Sequence, residues 1–167
     1  MGAYLNASSN LAAEMVAYRA DLVLTTESEP KLADAITQLD EMEDEVNAAL
    51  KRAGYAQPVT SGTSPLSFGI IVQGIKAGLA AWCYRFQGYS SEIGDLSNDV
   101  SRLEQKYDDS SSGMGLIQRI VDEPAWLPDA PRDAGGPAVP RLRGFTSLAV
   151  SDSTAVDERQ FERGGEY

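Results

Sequence analysis

The sequence predicts an all-α protein, a small helical bundle of about four helices plus a short C-terminal helix, with an extended C-terminal arm. Three observations predict this class. The run 67–89 is apolar at helical spacing, and amphipathic segments lie on either side of it. The last part of the chain loses helical periodicity and gains proline. The predicted division is therefore residues 1–121 for the helical bundle domain and residues 122–167 for an extended Pro/Gly-rich arm.

The first predicted helix covers residues 8–19, and its N-cap is one of the three polar residues that open it. Its apolar face is formed by Leu11, Met15 and Tyr18, which recur at helical spacing. The triplet 22–24 that follows fits either a short extended bridge or the end of the same helix.

The second predicted helix extends from Ser28 to Gly54. Ser28 is the candidate N-cap, Pro30 suits the first turn, and glycine typically ends a helix. Apolar residues recur at steps of three and four along one face, and the opposite face is acidic. That acidic face is a candidate metal site or docking surface. A solvated face is favoured, because the chain has neither histidine nor a calcium-loop spacing.

The run 67–89 predicts a buried central helix. Gln73 and Lys76 near its middle argue against a membrane span, because a charge at the centre of a bilayer helix costs about 2.5–3.5 kcal/mol. A strip of small residues also runs along it and predicts a helix-packing face, where another helix approaches closely. This predicted face consists of Gly74, Gly78 and Ala81.

Two further helices follow. Segment 91–109 has one narrow apolar seam, which requires either the central helix or a neighbouring subunit as its partner surface. Residues 116–121 form a short apolar helix, which is stable only when docked. Tyr55 and Val59, in the loop before the central helix, are predicted to cover the end of the bundle.

From Asp122 onwards the chain holds five of its eight prolines, which disfavour helix and central strand. Large apolar residues nevertheless recur through this region, whereas disordered tails seldom carry so many. The alternatives are a disordered tail and a partner-binding arm, and the apolar residues favour the arm. Such an arm can lie extended over a partner or add a strand to a sheet edge. Its predicted contact residues are Trp126, Leu127, Arg141, Leu142, Arg143, Phe145, Leu148 and Phe161.

Composition argues against an enzyme. The chain has 25 acidic and 14 basic residues, a formal charge of −11, no histidine and one cysteine. The commonest general base and metal ligand is therefore missing, and an excess of acid disfavours binding to duplex phosphates. The sequence contains no P-loop, dinucleotide-binding, nucleophile-elbow or zinc-protease motif. We expect no catalytic residue, cofactor or metal site, and Cys83 is predicted to be a small core residue.

Two short motifs stand out in the order of these helices. Ala49–Leu50, Gly54–Tyr55 and Pro58 precede the Ala/Gly-rich central helix, and Lys106–Tyr107–Asp108 ends the last long helix. In this order, over about residues 3–121, the chain resembles the head-to-tail connector (head completion or adaptor) proteins of tailed bacteriophages.

The resemblance implies a structural virion protein at the neck, where head and tail meet, made in the host cytoplasm. Members of that family form rings, usually homo-dodecameric, beneath the portal protein. The ring extends the DNA channel and provides the docking surface for the next neck or tail protein, a tail terminator or stopper. DNA is expected to pass through the lumen without sequence-specific binding, family arms commonly reach onto the portal, and no membrane is involved. The alternative function is a small acidic cytoplasmic adaptor or chaperone that binds a protein partner.

Overall fold

The computed structural model describes residues 4–5, 10–88, 94–109, 114–123 and 125–133. The chain divides into two compact units, Met1–Pro137 and Ala138–Tyr167. All of the described residues belong to the first unit, and they are referred to below as the body.

Five α-helices build the body, and its described residues contain no β-strand. The all-α bundle expected from the sequence is thereby confirmed. The helices are α1 (Asn10–Tyr18), α2 (Leu32–Arg52), α3 (Pro65–Phe86), α4 (Gly94–Tyr107) and α5 (Leu116–Asp122).

Helix α3 is the centre of the body. It packs against α1, α2 and α4, while α5 packs against α2 and α4. Ile71, Ile75 and Leu79 on α3 are completely buried, as predicted, and alanines and glycines extend the burial around much of the helix. Phe86, at the C-terminal end of the predicted apolar face, is instead 54% exposed.

Helices α2 and α3 run antiparallel, since the end of α3 lies close to the start of α2. The Gln87 side-chain amide, just after α3, donates a hydrogen bond of 3.0 Å to the carbonyl of Glu29, just before α2. The Arg85 guanidinium near the end of α3 forms an ion pair with Glu104 on α4. These contacts hold the C-terminal end of α3 between its two largest neighbours.

Gly74 and Gly78 allow α5 and α4 to approach α3 closely. A Cβ atom on Gly78 would lie 2.6 Å from Cγ of Tyr107, and one on Gly74 would lie 2.6 Å from Cδ2 of Leu116. Ala81, the third residue of the predicted packing face, is 2% exposed. At the two glycines the close neighbours are therefore helices of the same chain.

Tyr107 connects this contact to α2. Its hydroxyl lies 2.7 Å from a carboxylate oxygen of Glu45 and 3.2 Å from the carbonyl of Met42. Burial and then the hydrogen bond to Glu45 raise the pKa of Tyr107 well above its ordinary value. The phenol therefore remains a neutral donor that links α4 to α2.

The start of α2 differs from the prediction. The helix begins at Leu32, with Lys31 as an N-cap residue that makes no side-chain capping bond. The Ser28 hydroxyl instead accepts a hydrogen bond from the Thr25 amide and donates one to the Pro30 carbonyl, each at 2.8 Å. Serine competes for backbone groups in turns as readily as at helix ends, which explains the difference.

A buried carboxylate holds the N-terminal residues of the body against α2. Glu43 is 3% exposed, and its Oε1 accepts hydrogen bonds from the backbone amides of Tyr4 (3.1 Å) and Leu5 (2.9 Å). The Tyr4 hydroxyl also donates to Asn47, one turn further along α2. Hydrogen bonds to two amides offset the cost of burying this charge.

Candidate interaction surfaces

Residues 125–133, which follow α5, lie against the body and are called the strap here. Leu127 is 3% exposed, the Ala56 amide donates to the Pro131 carbonyl (2.9 Å), and the Asp133 amide donates to the Gly54 carbonyl (3.0 Å). The strap therefore belongs to the first unit. The predicted boundary after residue 121 falls earlier than the division between Pro137 and Ala138 that the structure gives.

The strap provides the N-terminal cap of α3. The Asp129 carboxylate accepts hydrogen bonds from the amides of Leu66 (2.9 Å) and Ser67 (2.8 Å) and from the Ser67 hydroxyl. The Ser64 hydroxyl donates to the Asp129 carbonyl at 2.9 Å. A carboxylate at this end of a helix satisfies free amides and complements the positive end of the helix dipole.

We expect Asp129→Ala to lower the free energy of unfolding at neutral pH. Partial desolvation raises the pKa of Asp129, but the hydrogen bonds from Ser67 and Leu66 outweigh it and lower the pKa below 3.8. A lowered pKa stabilises the fold above pH 3.8, and that contribution is lost as the pH falls through the folded-state value. Urea unfolding of both proteins, at neutral pH and well below pH 3.8, measures the difference in unfolding free energy between the wild type and Asp129→Ala. We expect this difference to be smaller in acid.

Asp44→Ala is the control for this prediction, because Asp44 is exposed on α2 and forms no ion pair among the described residues. Its effect should be small at both pH values. An Asp129→Ala effect as small as that of Asp44→Ala would show that the cap contributes nothing.

The same strap caps the C-terminal end of α2 with a positive charge. Nη1 of Arg132 donates to the carbonyl of Ala53 at 2.9 Å, and its guanidinium carbon lies 3.9 Å from the centre of the Tyr55 ring. Tyr55 is 1% exposed, as predicted for a residue that covers the end of the bundle. A cation near the last carbonyls of a helix is favourable, and stacking on the ring adds a cation–π contact.

The predicted contact residues of the arm fall into two groups. Leu127 is buried in the body, and Trp126 is half-buried with the Arg119 guanidinium 5.5 Å from its ring centre. The body itself therefore engages both residues. The remaining predicted contact residues lie outside the described residues: Arg141, Leu142, Arg143, Phe145, Leu148 and Phe161.

A groove of about 660 Å³ lies between α1, α4 and the residues before α5. Asp99 and Asp109 contribute acidic groups to the groove, and the Asp99 carboxylate pairs with Arg19 at 3.2 Å. Arg102 and Lys106 are exposed and form no ion pair within the described part of the chain. This surface is called the basic groove, and the residues that define it are Tyr18, Arg19, Arg102, Leu103, Lys106 and Met114.

A second surface combines aromatic and acidic side chains. The rings of Trp82 and Phe86 lie 5.3 Å apart at the end of α3 and border a depression of about 340 Å³. Asp34 and Glu41 of α2 line the same depression, are exposed, and form no ion pair with any described residue. These four residues surround the depression, and the surface that they form around it is called the acidic ridge.

The two surfaces lie on opposite flanks of α4. Arg102 and Lys106 of α4 line the basic groove, whereas Glu104 and Asp108 line a depression that also contains Trp82. Helix α4 therefore separates the basic groove from the acidic ridge within one chain.

Metal-binding clusters and an activated thiol are both absent from the described residues. Among them, no group of three or more histidine, cysteine or acidic side chains is placed to hold a metal ion. Burial raises the pKa of the Cys83 thiol to about 12, so this sulfur is not activated as a nucleophile.

The basic groove was not predicted from the sequence. Arg102 and Lys106 are four residues apart in the last long helix, so both lie on one face of it. This spacing is the signal from which part of the groove could have been predicted. The other wall comes from Tyr18 and Arg19, and only the packing of α1 brings these residues close to α4.

Comparison with known proteins adds no relative: no family model, curated protein or solved structure matches this chain. Among the described residues, helix α3 is long and apolar enough to cross a membrane, by length and composition alone. Most of this apolar stretch, 61%, is buried inside the body. The same length and composition are also typical of the core helix of a globular bundle.

Proposed function

We propose that this protein is a structural virion protein, a head-to-tail adaptor of a tailed bacteriophage that forms a homo-oligomeric ring beneath the portal. The ring extends the DNA channel and presents the docking surface for the next neck or tail protein. The observation that carries this proposal is that the motif residues on which the resemblance to connector proteins rests also fix the helices of the body.

The first motif shapes the connection between α2 and α3. Gly54 has a φ of 77°, a conformation that glycine adopts without strain, and it ends α2. Tyr55 follows it, fully buried beneath Arg132. This motif therefore determines where the helical hairpin turns.

The second motif fixes α4 on the hairpin. Tyr107 packs on Gly78 of α3 and hydrogen-bonds to Glu45 of α2, while the neighbouring Lys106 lines the basic groove. The resemblance in sequence thus involves residues with defined structural roles. These roles support the proposal that the chain has the helix arrangement of a connector protein.

The charge of the body suits a channel through which DNA passes. Asp44 is exposed on α2, outside the surfaces defined above, and the whole chain carries a formal charge of −11. A negatively charged surface repels phosphate. It also releases no counterions from DNA, and this release is what favours DNA binding to basic proteins. A ring of such subunits allows DNA to move without adhering to it.

Co-expression with the portal protein of the phage genome that encodes this chain tests the proposal. We expect the two proteins to copurify, and electron microscopy to show an additional ring below the portal. A chain ending at Pro137 should keep its helical content but lose portal binding, if the residues from Ala138 onwards form the arm. A full-length chain that neither binds the portal nor adds a ring would refute the function, and normal docking of the shorter chain would refute the role of the arm.

A small adaptor or chaperone that holds a protein partner is the second candidate. The exposure of Phe86 beside Trp82 favours it, because an apolar patch with a charged rim is typical of a binding surface. Mass measurement in the presence of the portal separates the two functions. A chaperone stays monomeric or dimeric and binds one client, whereas the adaptor enters a high-order ring.

A further inference from the structure

We propose that the basic groove of one copy binds the acidic ridge of a second copy of this chain. The inference deepens the proposed function and rests on it, since it identifies the contact through which the ring would be built. Its evidence is the charge, exposure and position of the two surfaces.

Charge complementarity is the first argument. Arg102 and Lys106 in the groove, and Asp34 and Glu41 on the ridge, are exposed and form no ion pairs within the described part of the chain. Opposite charges on two docking surfaces speed association and select the register in which the surfaces meet. Each surface offers two charges that the other can pair.

Apolar complementarity is the second argument. Met114 in the groove is 58% exposed and Phe86 on the ridge is 54% exposed. A thioether packs favourably on an aromatic ring, and an arginine such as Arg102 can also stack on Trp82 or Phe86. Contact between the two surfaces would therefore remove both exposed apolar side chains from water.

The positions of the basic groove and the acidic ridge indicate that the contact forms between two copies of the chain. Helix α4 separates the groove from the ridge, so one chain cannot pair them internally but can use both at once. A contact between two different surfaces of identical subunits is heterologous, and repeating it gives a closed ring when the rotation closes. This arrangement meets the geometric requirement of a homo-oligomeric ring.

A second copy suits the groove better than a nucleic acid does. The groove contains Asp99 and Asp109 beside its basic residues, and the chain as a whole is strongly acidic. Phosphate backbones bind to sustained positive surfaces. A protein surface with a few acidic groups and an exposed ring matches this mixture of charges more closely.

Sedimentation velocity of the full-length protein over a range of concentrations at low salt tests the contact. We expect self-association that weakens as salt is added. The groove variant Arg102→Glu/Lys106→Glu and the ridge variant Asp34→Lys/Glu41→Lys should each weaken it at least about tenfold, because like charges then face each other. An equimolar mixture of the two variants should associate again, since the reversed groove meets a reversed ridge.

Lys51→Glu/Arg52→Glu is the matched control, because it makes the same change in net charge as the groove variant, at two exposed positions in the last turn of α2, outside both surfaces. It should associate like the wild type, and circular dichroism confirms that all variants are folded. A wild type that stays monomeric at every concentration, or a mixture of folded variants that does not associate, would overturn the contact. Portal binding is measured in a separate experiment. If the protein self-associates but does not bind the portal, the proposed function is refuted and the contact between copies is not.

Discussion

A chain that ends after Glu123 is expected to lose at least about 2–5 kcal/mol of unfolding free energy, the usual cost of removing one buried leucine side chain. The deletion removes Leu127, which is 3% exposed, together with the Asp129 cap of α3 and the Arg132 cap of α2. A chain that ends after Pro137 keeps the strap and should unfold at nearly the wild-type denaturant concentration. Chemical denaturation followed by circular dichroism measures both.

A point substitution keeps this prediction testable if the shorter chain does not fold. Leu127→Ala in the full-length protein should by itself cost about 2–5 kcal/mol, whereas truncating an exposed apolar residue of similar size, as in Val23→Ala, should change stability little. Equal effects of the two substitutions would mean that the strap is not packed as described.

Replacing Gly78 by leucine is expected to cost about 3 kcal/mol or more, the upper range for overpacking a filled interior. Even a Cβ atom there would lie 2.6 Å from Cγ and 2.9 Å from Cβ of Tyr107. These atoms form the stem of a side chain whose hydroxyl is bonded to α2, so they cannot swing aside without moving α4. The free energy of unfolding, measured with urea, should fall accordingly.

Gly69→Leu in the same helix is the control. No atom lies within 4 Å of the position that its Cβ would occupy, so the substitution should stabilise the protein by roughly 0.5–1 kcal/mol through helix propensity alone. The two variants are therefore expected to shift stability in opposite directions. A Gly78→Leu variant as stable as Gly69→Leu would contradict the close approach of α4 to α3.

The helices could be predicted from the sequence because their signals are local. Apolar spacing over 67–89 and 91–109 reflects which face of each helix is buried, and α3 and α4 lie where this spacing indicates. The start of α2 could not be predicted as well. Ser28 suits both a turn and an N-cap, and only the hydrogen bonds to Thr25 and Pro30 decide between them.

The strap and the two surfaces depend on long-range contacts that leave no local pattern. Proline correctly indicates that residues 125–133 are not helical, but the bonds that hold them run from Asp129 to Ser67 and from Arg132 to Ala53. Similarly, Glu43 occupies a core position because its partners, the amides of Tyr4 and Leu5, are distant in sequence. Pairings of this kind become visible only when the helices are packed.

The strap also has a consequence for biosynthesis. The end of α2 and the start of α3 are both capped by residues that are synthesised much later. The Ala53 carbonyl is bound by Arg132, and the Ser67 amide is bound by Asp129. On the ribosome, the α2–α3 hairpin therefore emerges with two uncapped ends, and it reaches its full stability only after residue 133 has left the exit tunnel. Folding of the body thus depends on synthesis of the strap, and the hairpin does not reach its full stability before residues 125–133 are made.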